Sequence, residues 1–543
     1  MRKGINLRHI IVLVLIITML FSAMAMTSCN DNNSGNTNDG VQPPTVDPIN
    51  DNYRTFYQIF VGSFSDSNGD TYGDLRGIIN RIDYLNDGDI NSGKSLGVQG
   101  IWLSPIFSSP SYHKYDATDY YQIDGRFGTE EDLKELIELC NERNIKLILD
   151  LAINHTSTQH EWFVQFKQAR INGDTSNKYY DYYTFVTTDE RVNGRTYQKI
   201  AGVDGYYECN FSGNMPELNF DNPEVRDEVL KIAKYYLDLG VHGFRFDAVK
   251  YIYYGDTKST VKFWEWYMEE LYKINPDIYC VAECWSGEAE ILEYYSAMNC
   301  FNFAMSQAEG VVASAAKGLS ISQYTKYIES FQDKVLAKNP SGMVMPFLSN
   351  HDVNRIAGAF VTENNMRMAA NLYLLSPGSP MIYYGEEIGM RGSRGAENTD
   401  ANRRLAMLWG DGDTVKNPAG STYPSDKQIQ TTVASQIEDE NSLYNYYCKL
   451  IAIRHKYPAI ARGDYNAVSC ENKNLGGFYI EYNGEIFGLL HNNSTSEITV
   501  DLSTITELDG HTLSKICDYI GVGTASIEGN ILTVGPQTSV ILE

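Results

Sequence analysis

Basic residues are few in this chain of 543: 44 Lys and Arg stand against 69 Asp and Glu, a formal charge of −25 at neutral pH. A surface of that sign repels phosphate backbones and anionic headgroups, which excludes nucleic acid and broad electrostatic membrane binding. Cysteine is thinly scattered, and its 9 copies show neither metal-site spacing nor a dense disulfide framework. Buried thiols are expected, with at most one bridge. There is no internal repeat. The apolar run from Ile10 to Phe21 falls short of the about 20 residues that cross a bilayer. Aromatic residues, in contrast, are plentiful, with 39 Tyr, 21 Phe and 6 Trp. Rings with polar tips suit cores and the faces of sugars alike.

That short run follows Arg2, Lys3 and Arg8 and leads through small residues to Cys29, the layout of a secretory signal. Met26-Thr27-Ser28-Cys29 resembles a bacterial lipobox, which implies cleavage before Cys29 and its lipidation. Cleavage after Ala25, by the A-x-A rule, is the alternative and would release a soluble protein. Residues 30–50 are rich in Asn, Asp, Gly and Pro and have almost nothing to bury, so a disordered tether is expected. The expected location is extracytoplasmic, with the membrane reached only through a lipid, and the expected state is a monomer.

The body of the chain is organised around GFRFDAVK at Gly243 to Lys250. An apolar run, Val241 to Phe246, delivers Asp247 at its end. Strand alternation places Arg245 on the same side as Asp247, where the guanidinium keeps the carboxylate ionised. Glu283 closes a second apolar run, Ile278 to Ala282, 36 residues on, and Asp352 follows a third, Met343 to Leu348, after a further 69. One strand, its helix and two loops take roughly 30–40 residues in an eight-fold βα barrel. The three carboxylates therefore belong at one end of a parallel barrel.

Further strands are expected at Thr55–Phe60, Gly100–Leu103, Lys146–Ile153, Cys300–Phe303 and Met381–Tyr384. A helix capped by Thr129 and Asp132, with an inner stripe of Leu133, Leu136, Ile137 and Cys140, precedes the third strand. Asn222-Pro223 opens another helix and Gly240 stops it. The 93 residues between Asn154 and Asp247 exceed one unit, so an insertion lies at about 155–220. Beyond about Arg462 the pattern turns to short alternating strands with a hairpin signal at Asn483-Gly484, predicting a C-terminal β-sandwich over 463–543. The barrel itself occupies 51–462.

The loop after the first strand, DSNGDTYGD, puts oxygens at relative positions 1, 3, 5 and 9 (Asp66, Asn68, Asp70, Asp74), with the Tyr72 carbonyl available at position 7. A short loop wraps Ca²⁺ with such spacing. A solvated Asp/Asn/Gly turn is the other reading.

DLAINH at Asp150 to His155, GFRFDAVK, ECW at Glu283 to Trp285 and FLSNHD at Phe347 to Asp352 resemble, in order and spacing, the four motifs of the α-amylase family, glycoside hydrolase family 13. MPELN at Met215 to Asn219 resembles its fifth. The likeness runs from about Tyr53 to the C-terminus. It implies a (β/α)8 TIM barrel with an inserted B domain and a C-terminal β-sandwich. It also implies Asp247 as nucleophile, Glu283 as general acid/base and Asp352 as the residue that grips ring hydroxyls. Tyr115 would lie under the sugar, Asp116 would support it, and His155, Arg245 and His351 would line the same subsite. Lys250 would reach sugars beyond the cut. Family loops like Asp66 to Asp74 bind calcium. A second calcium beside Asn154 stays open, because Tyr251 stands where His is frequent and no B-domain carboxylate is evident.

The substrate implied is an α-glucan, cut at internal α-1,4 bonds. An exo-acting α-glucosidase or a neopullulanase/oligo-1,6-glucosidase-like enzyme is the alternative. A non-catalytic glycan-binding relative would have lost one or more of the three carboxylates, and all three are present.

Overall fold

The computed structural model describes residues 49–543; Cys29, the signal segment and nearly all of the tether lie outside the described residues. Seven parallel strands form one curled sheet, in the spatial order Asn299–Cys300, Tyr279–Ala282, Gly243–Phe246, Lys146–Leu151, Gly100–Leu103, Phe56–Ile59 and Met381–Tyr383. Residues 344–348 close it. Met345 bridges Phe301 and Phe347 bridges Met381, each in parallel. The carbonyls of Val344, Met345 and Pro346 accept from Ser379 (2.8 Å), Asn302 (3.1 Å) and Met381 (2.9 Å).

The expected seventh strand, Met343–Leu348, is therefore a closing stave without a regular ladder. Pro346 sits at its centre and has no N–H to give. The sixth strand is also shorter than expected, ending at Cys300 with one further bridge at Phe301. The third ends at Leu151, two residues before the expected Ile153.

The strands pack too closely for a side chain at Gly243. A Cβ at Gly243 would meet the carbonyl oxygen of Tyr279 at 1.8 Å. The helix Glu130–Glu142 carries the reciprocal Thr129/Asp132 capping box and buries Leu133, Leu136, Ile137 and Cys140. The helix Pro223–Leu239 is capped by Asn222 and ended by Gly240 at φ +104°. Both leave their strand-facing stripes in the barrel core.

The segment between His155 and Phe220 contains the helix Glu161–Asn172 and a three-stranded antiparallel sheet of Phe185–Val186, Tyr206–Glu208 and Tyr197–Lys199. The C-terminal region is two antiparallel sheets, of five and three strands. Its hairpin turns at Asn483 (φ +52°) and Gly484 (φ +82°), the double left-handed geometry of a type I′ turn. Leu490, Leu532, Val534, Val540 and Leu542 fill the space between the two sheets. Against the other face Phe478 meets Tyr324 of the barrel helix Ile321–Lys338, their rings 6.0 Å apart.

All eight cysteines among the described residues are free thiols, so the single bridge allowed by the sequence does not form there. Among the described residues no helix is long and apolar enough to cross a membrane.

Candidate active site

Asp247, Glu283 and Asp352 emerge at the C-terminal end of the barrel, each just past a strand or the closing stave. What gathers them is Arg245, wholly buried. Its Nη1 donates to Asp247 (2.5 Å) and to Asp150 (2.8 Å), and its Nη2 lies 4.0 Å from Glu283. Nε and Nη2 have no hydrogen-bond partner.

Asp150, on the neighbouring strand, also accepts from Tyr115 (2.8 Å) and Trp102 (3.2 Å). The residue after Asp247 is held in left-handed backbone, Ala248 at φ +52°, a conformation strained for a side chain with a Cβ. Its N–H points at Glu283 Oε2, 2.9 Å away. One turn thus joins the two carboxylates.

Their environments differ. Burial, with Asp247 and Asp352 nearby, pushes Glu283 up to about 8 against the pull of Arg245, so it holds a proton at neutral pH. Burial likewise pushes Asp150 up to about 7. Burial alone would raise Asp352 too, but His351 and Arg404 hold it below its ordinary value. Since burial also lowers His351, that ring is neutral near pH 7. Gln58 Nε2 lies 2.6 Å from its Nδ1, and the ring Nε2 lies 2.9 Å from Asp352. The full charge opposite Asp352 is therefore Arg404, whose Nη2 is 2.9 Å from Oδ1.

Tyr115 joins the cluster through its hydroxyl, 2.6 Å from His351 Nε2 and with the rings stacked. Asp116 accepts from Ser109 (2.8 Å) and Ser111. His155 is buried against Phe211 with its Nε2 unpartnered, and burial keeps it neutral. Lys250 turns to the Glu283 side, its Nζ 2.7 Å from the carbonyl of Trp285.

Asp150, Trp102, Gln58 and Arg404 escaped the sequence reading as site residues. Asp150 was findable, because it sits on an expected strand with its side chain directed as those of Arg245 and Asp247 are. Arg404 was not, since it comes from the long loop after the last strand.

The Asp66–Asp74 loop is wound by its own side chains. Asp66 accepts the N–H groups of Asn68, Gly69 and Thr71, Asn68 that of Asp70, and Asp70 that of Tyr72, all at 2.8–3.0 Å. Asp74 caps the next helix through Gly77 (2.6 Å) and also accepts from Ser67. Among the described residues no three His, Cys, Asp or Glu side chains form a metal cluster. A cation here would rely on Asn68 and the Tyr72 carbonyl besides the aspartates. Among the described residues Asp66 and Asp74 draw no basic partner.

Near Asn154 the insertion does carry buried acids that the sequence reading did not find. Glu208 and Glu217 are each 3% exposed. Arg195 donates to Glu208 (3.1 Å), and Asn210 donates to both, at 2.7 and 2.9 Å. The chain supplies its own cation to this pair.

A family model described as "Alpha amylase, catalytic domain" matches residues 58–463. "Alpha-amylase 3" of Dictyoglomus thermophilum is 36% identical over 493 residues, covering 90% of this chain and 92% of that protein. An "Oligo-1,6-glucosidase" of Bacillus cereus is 29% identical over 532 residues, covering 82% and 91%. The solved structure of "Eubacterium rectale Amy13B" superposes with a TM-score of 0.84 at 35% identity, covering 92% of this chain and 97% of that one. A carboxylate trio gathered at the mouth of a closed parallel barrel, and a match over most of that barrel, lead to one assignment: the chain is an enzyme of the α-amylase family, glycoside hydrolase family 13.

Proposed function

We propose that the enzyme cuts internal α-1,4-glucosidic bonds of starch and maltooligosaccharides, with retention, through a covalent glucosyl-enzyme. Glu283, protonated at neutral pH, donates to the leaving oxygen while Asp247, paired with Arg245, attacks the anomeric carbon. Water then enters on the same face, Glu283 takes its proton, and the bond to Asp247 breaks. Two carboxylates sharing one guanidinium and one turn suit the close spacing of a retaining pair. Asp352, with His351 and Arg404 beside it, grips ring hydroxyls as oxocarbenium charge develops. Tyr115, in ring contact with His351, forms the floor.

Endo action is supported by space on both sides of these carboxylates. A hollow of about 360 Å³ lies past Glu283, between Trp285 and Tyr423, where Lys250 also points. A second, of about 420 Å³, lies by Phe60 and Tyr112 on the other side. A chain bound through its middle needs both.

The test is maltoheptaose blocked at its non-reducing end. Internal fragments are expected; release of glucose from the unblocked sugar alone would install the α-glucosidase reading.

We also infer that the loop holds Ca²⁺ through Asp66, Asn68, Asp70, the Tyr72 carbonyl and Asp74, where the ion would brace the loop and take no part in bond cleavage. From its N-terminal signals we infer a lipid-anchored enzyme outside the cytoplasm. Mass spectrometry of the mature N-terminus is expected to find a diacylated Cys29, and an unmodified Met26 terminus would mean a free, soluble enzyme.

A further inference from the structure

The hollow by Phe60 and Tyr112 has a far wall that the catalytic chemistry does not use. Tyr72, from the loop Asp66–Asp74, lines it and is 40% exposed, as few large side chains in this molecule are. The near wall runs straight into the catalytic cluster. Phe60 lies 6.2 Å from the Tyr112 ring and 6.4 Å from that of His351, and the Tyr112 hydroxyl accepts from Arg404 (3.0 Å), which pairs with Asp352. Glu283, and hence the leaving group, belongs to the opposite side of the barrel mouth. Sugars in this hollow are therefore those on the non-reducing side of the cut.

Of the three charged side chains that line it, two are paired, and Lys416 has no ion pair among the described residues. Lys114 and Arg126 both pair with Asp124, and the Arg126 guanidinium lies 5.4 Å from the Tyr72 ring. Aromatic faces with most charges already paired suit a neutral polyol.

Resting on the α-glucan reading above, we propose that Tyr72 is a platform for glucose units beyond the one bound at the carboxylates, so that the loop sets how long a glycone the enzyme prefers. The loop is built to aim it. Asp70 Oδ1 fixes the Tyr72 N–H (2.8 Å), Thr71 adopts φ +77°, and the Thr71 carbonyl accepts from Lys416 (3.0 Å), which binds the loop to the 416–419 segment on the same hollow. The loop is thereby a specificity element as well as a brace.

The test compares maltotriose with maltoheptaose in the full enzyme. For Tyr72→Ala, KM for maltoheptaose is expected to rise about three- to tenfold with kcat unchanged, the scale of one aromatic contact, while maltotriose kinetics stay within twofold. Tyr72→Phe keeps the ring and is expected to restore the wild-type values. Equal losses on both substrates, or no loss on either, would overturn the platform while leaving the endo reading intact. A wild-type enzyme that prefers maltotriose, or cuts neither, would overturn both.

Discussion

Two guanidinium groups of this molecule hold buried carboxylates, that of Arg245 wholly buried and that of Arg195 24% exposed, and the proposed chemistry uses only the first. Arg245 faces Asp150, Asp247 and Glu283; Arg195 faces Glu208, with Glu217 beside it. In each, burial next to other acids pushes one glutamate up to about 8. The difference lies in what remains unmatched. In the B-domain cluster Asn210 donates to both glutamates, and Arg195 also bonds the carbonyl of Tyr254, tying the insertion to the loop after the strand Gly243–Phe246. In the barrel, Arg245 keeps two nitrogens without partners, and two of the acids it gathers, Asp247 and Glu283, are partly exposed. A raised carboxyl alone does not identify a general acid; unmatched groups beside it at a barrel mouth are what favour Glu283 over Glu217 for the proposed role.

The sharpest break in the comparison is chemical. Asp247→Ala or Glu283→Gln is expected to lower kcat on maltoheptaose by about 10³-fold or more, with starch binding retained in pull-down. Glu217→Gln, shifted as far and more deeply buried, is expected to leave kcat within about threefold. Near-normal turnover by either barrel variant would remove its residue from the mechanism.

The next largest effect reverses the ranking. Arg195→Ala strands the buried Glu208 without a cation and is expected to cost about 3 kcal/mol in urea unfolding. Adding Glu208→Gln should recover part of that loss, because a neutral amide needs no counter-charge. A double variant no more stable than Arg195→Ala would mean that Arg195 matters through Tyr254 alone.

That second cluster shows where sequence reading stopped. Strand ends with Asp247, Glu283 and Asp352 were readable because barrel periodicity fixes which residues face the mouth, and MPELN was readable as a motif. The role of Glu217 within it was not, since its partners Arg195, Glu208 and Asn210 come from an insertion whose short strands have no strong period. Arg404 was hidden for the same reason, being delivered by a loop 52 residues beyond Asp352 in sequence. The irregular seventh stave was readable in hindsight from Pro346, whose missing N–H forbids a full ladder.

pH separates the two glutamates by readout. Glu283 must carry its proton to act, so kcat/KM is expected to hold through neutrality and fall as pH rises past about 8. Glu217 acts on stability. Its folded value lies above the unfolded 4.5, so the native state binds the extra proton between the two. Stability from this group is full below about 4.5, declines as pH rises, and levels off above about 8. Glu217→Gln should flatten that decline without moving the pH–rate profile. A shifted alkaline limb in this variant would couple the B-domain pair to the chemistry and erase the distinction drawn between the clusters.

The smallest expected effect concerns a third acidic group, which has no guanidinium at all. Asp66, Asn68 and Asp70 are held by backbone N–H groups of their own loop, and these are weaker counterweights than a cation. If Ca²⁺ supplies the missing charge, a strong chelator is expected to lower the Tm by a few degrees, with recovery on adding excess Ca²⁺. Asp70→Ala should abolish the response. Because the same loop aims Tyr72, chelation should also raise KM for maltoheptaose more than for maltotriose. A Tm that does not move would mean that the N–H groups suffice, so that the loop, like the B-domain cluster, closes its charge balance from within the chain.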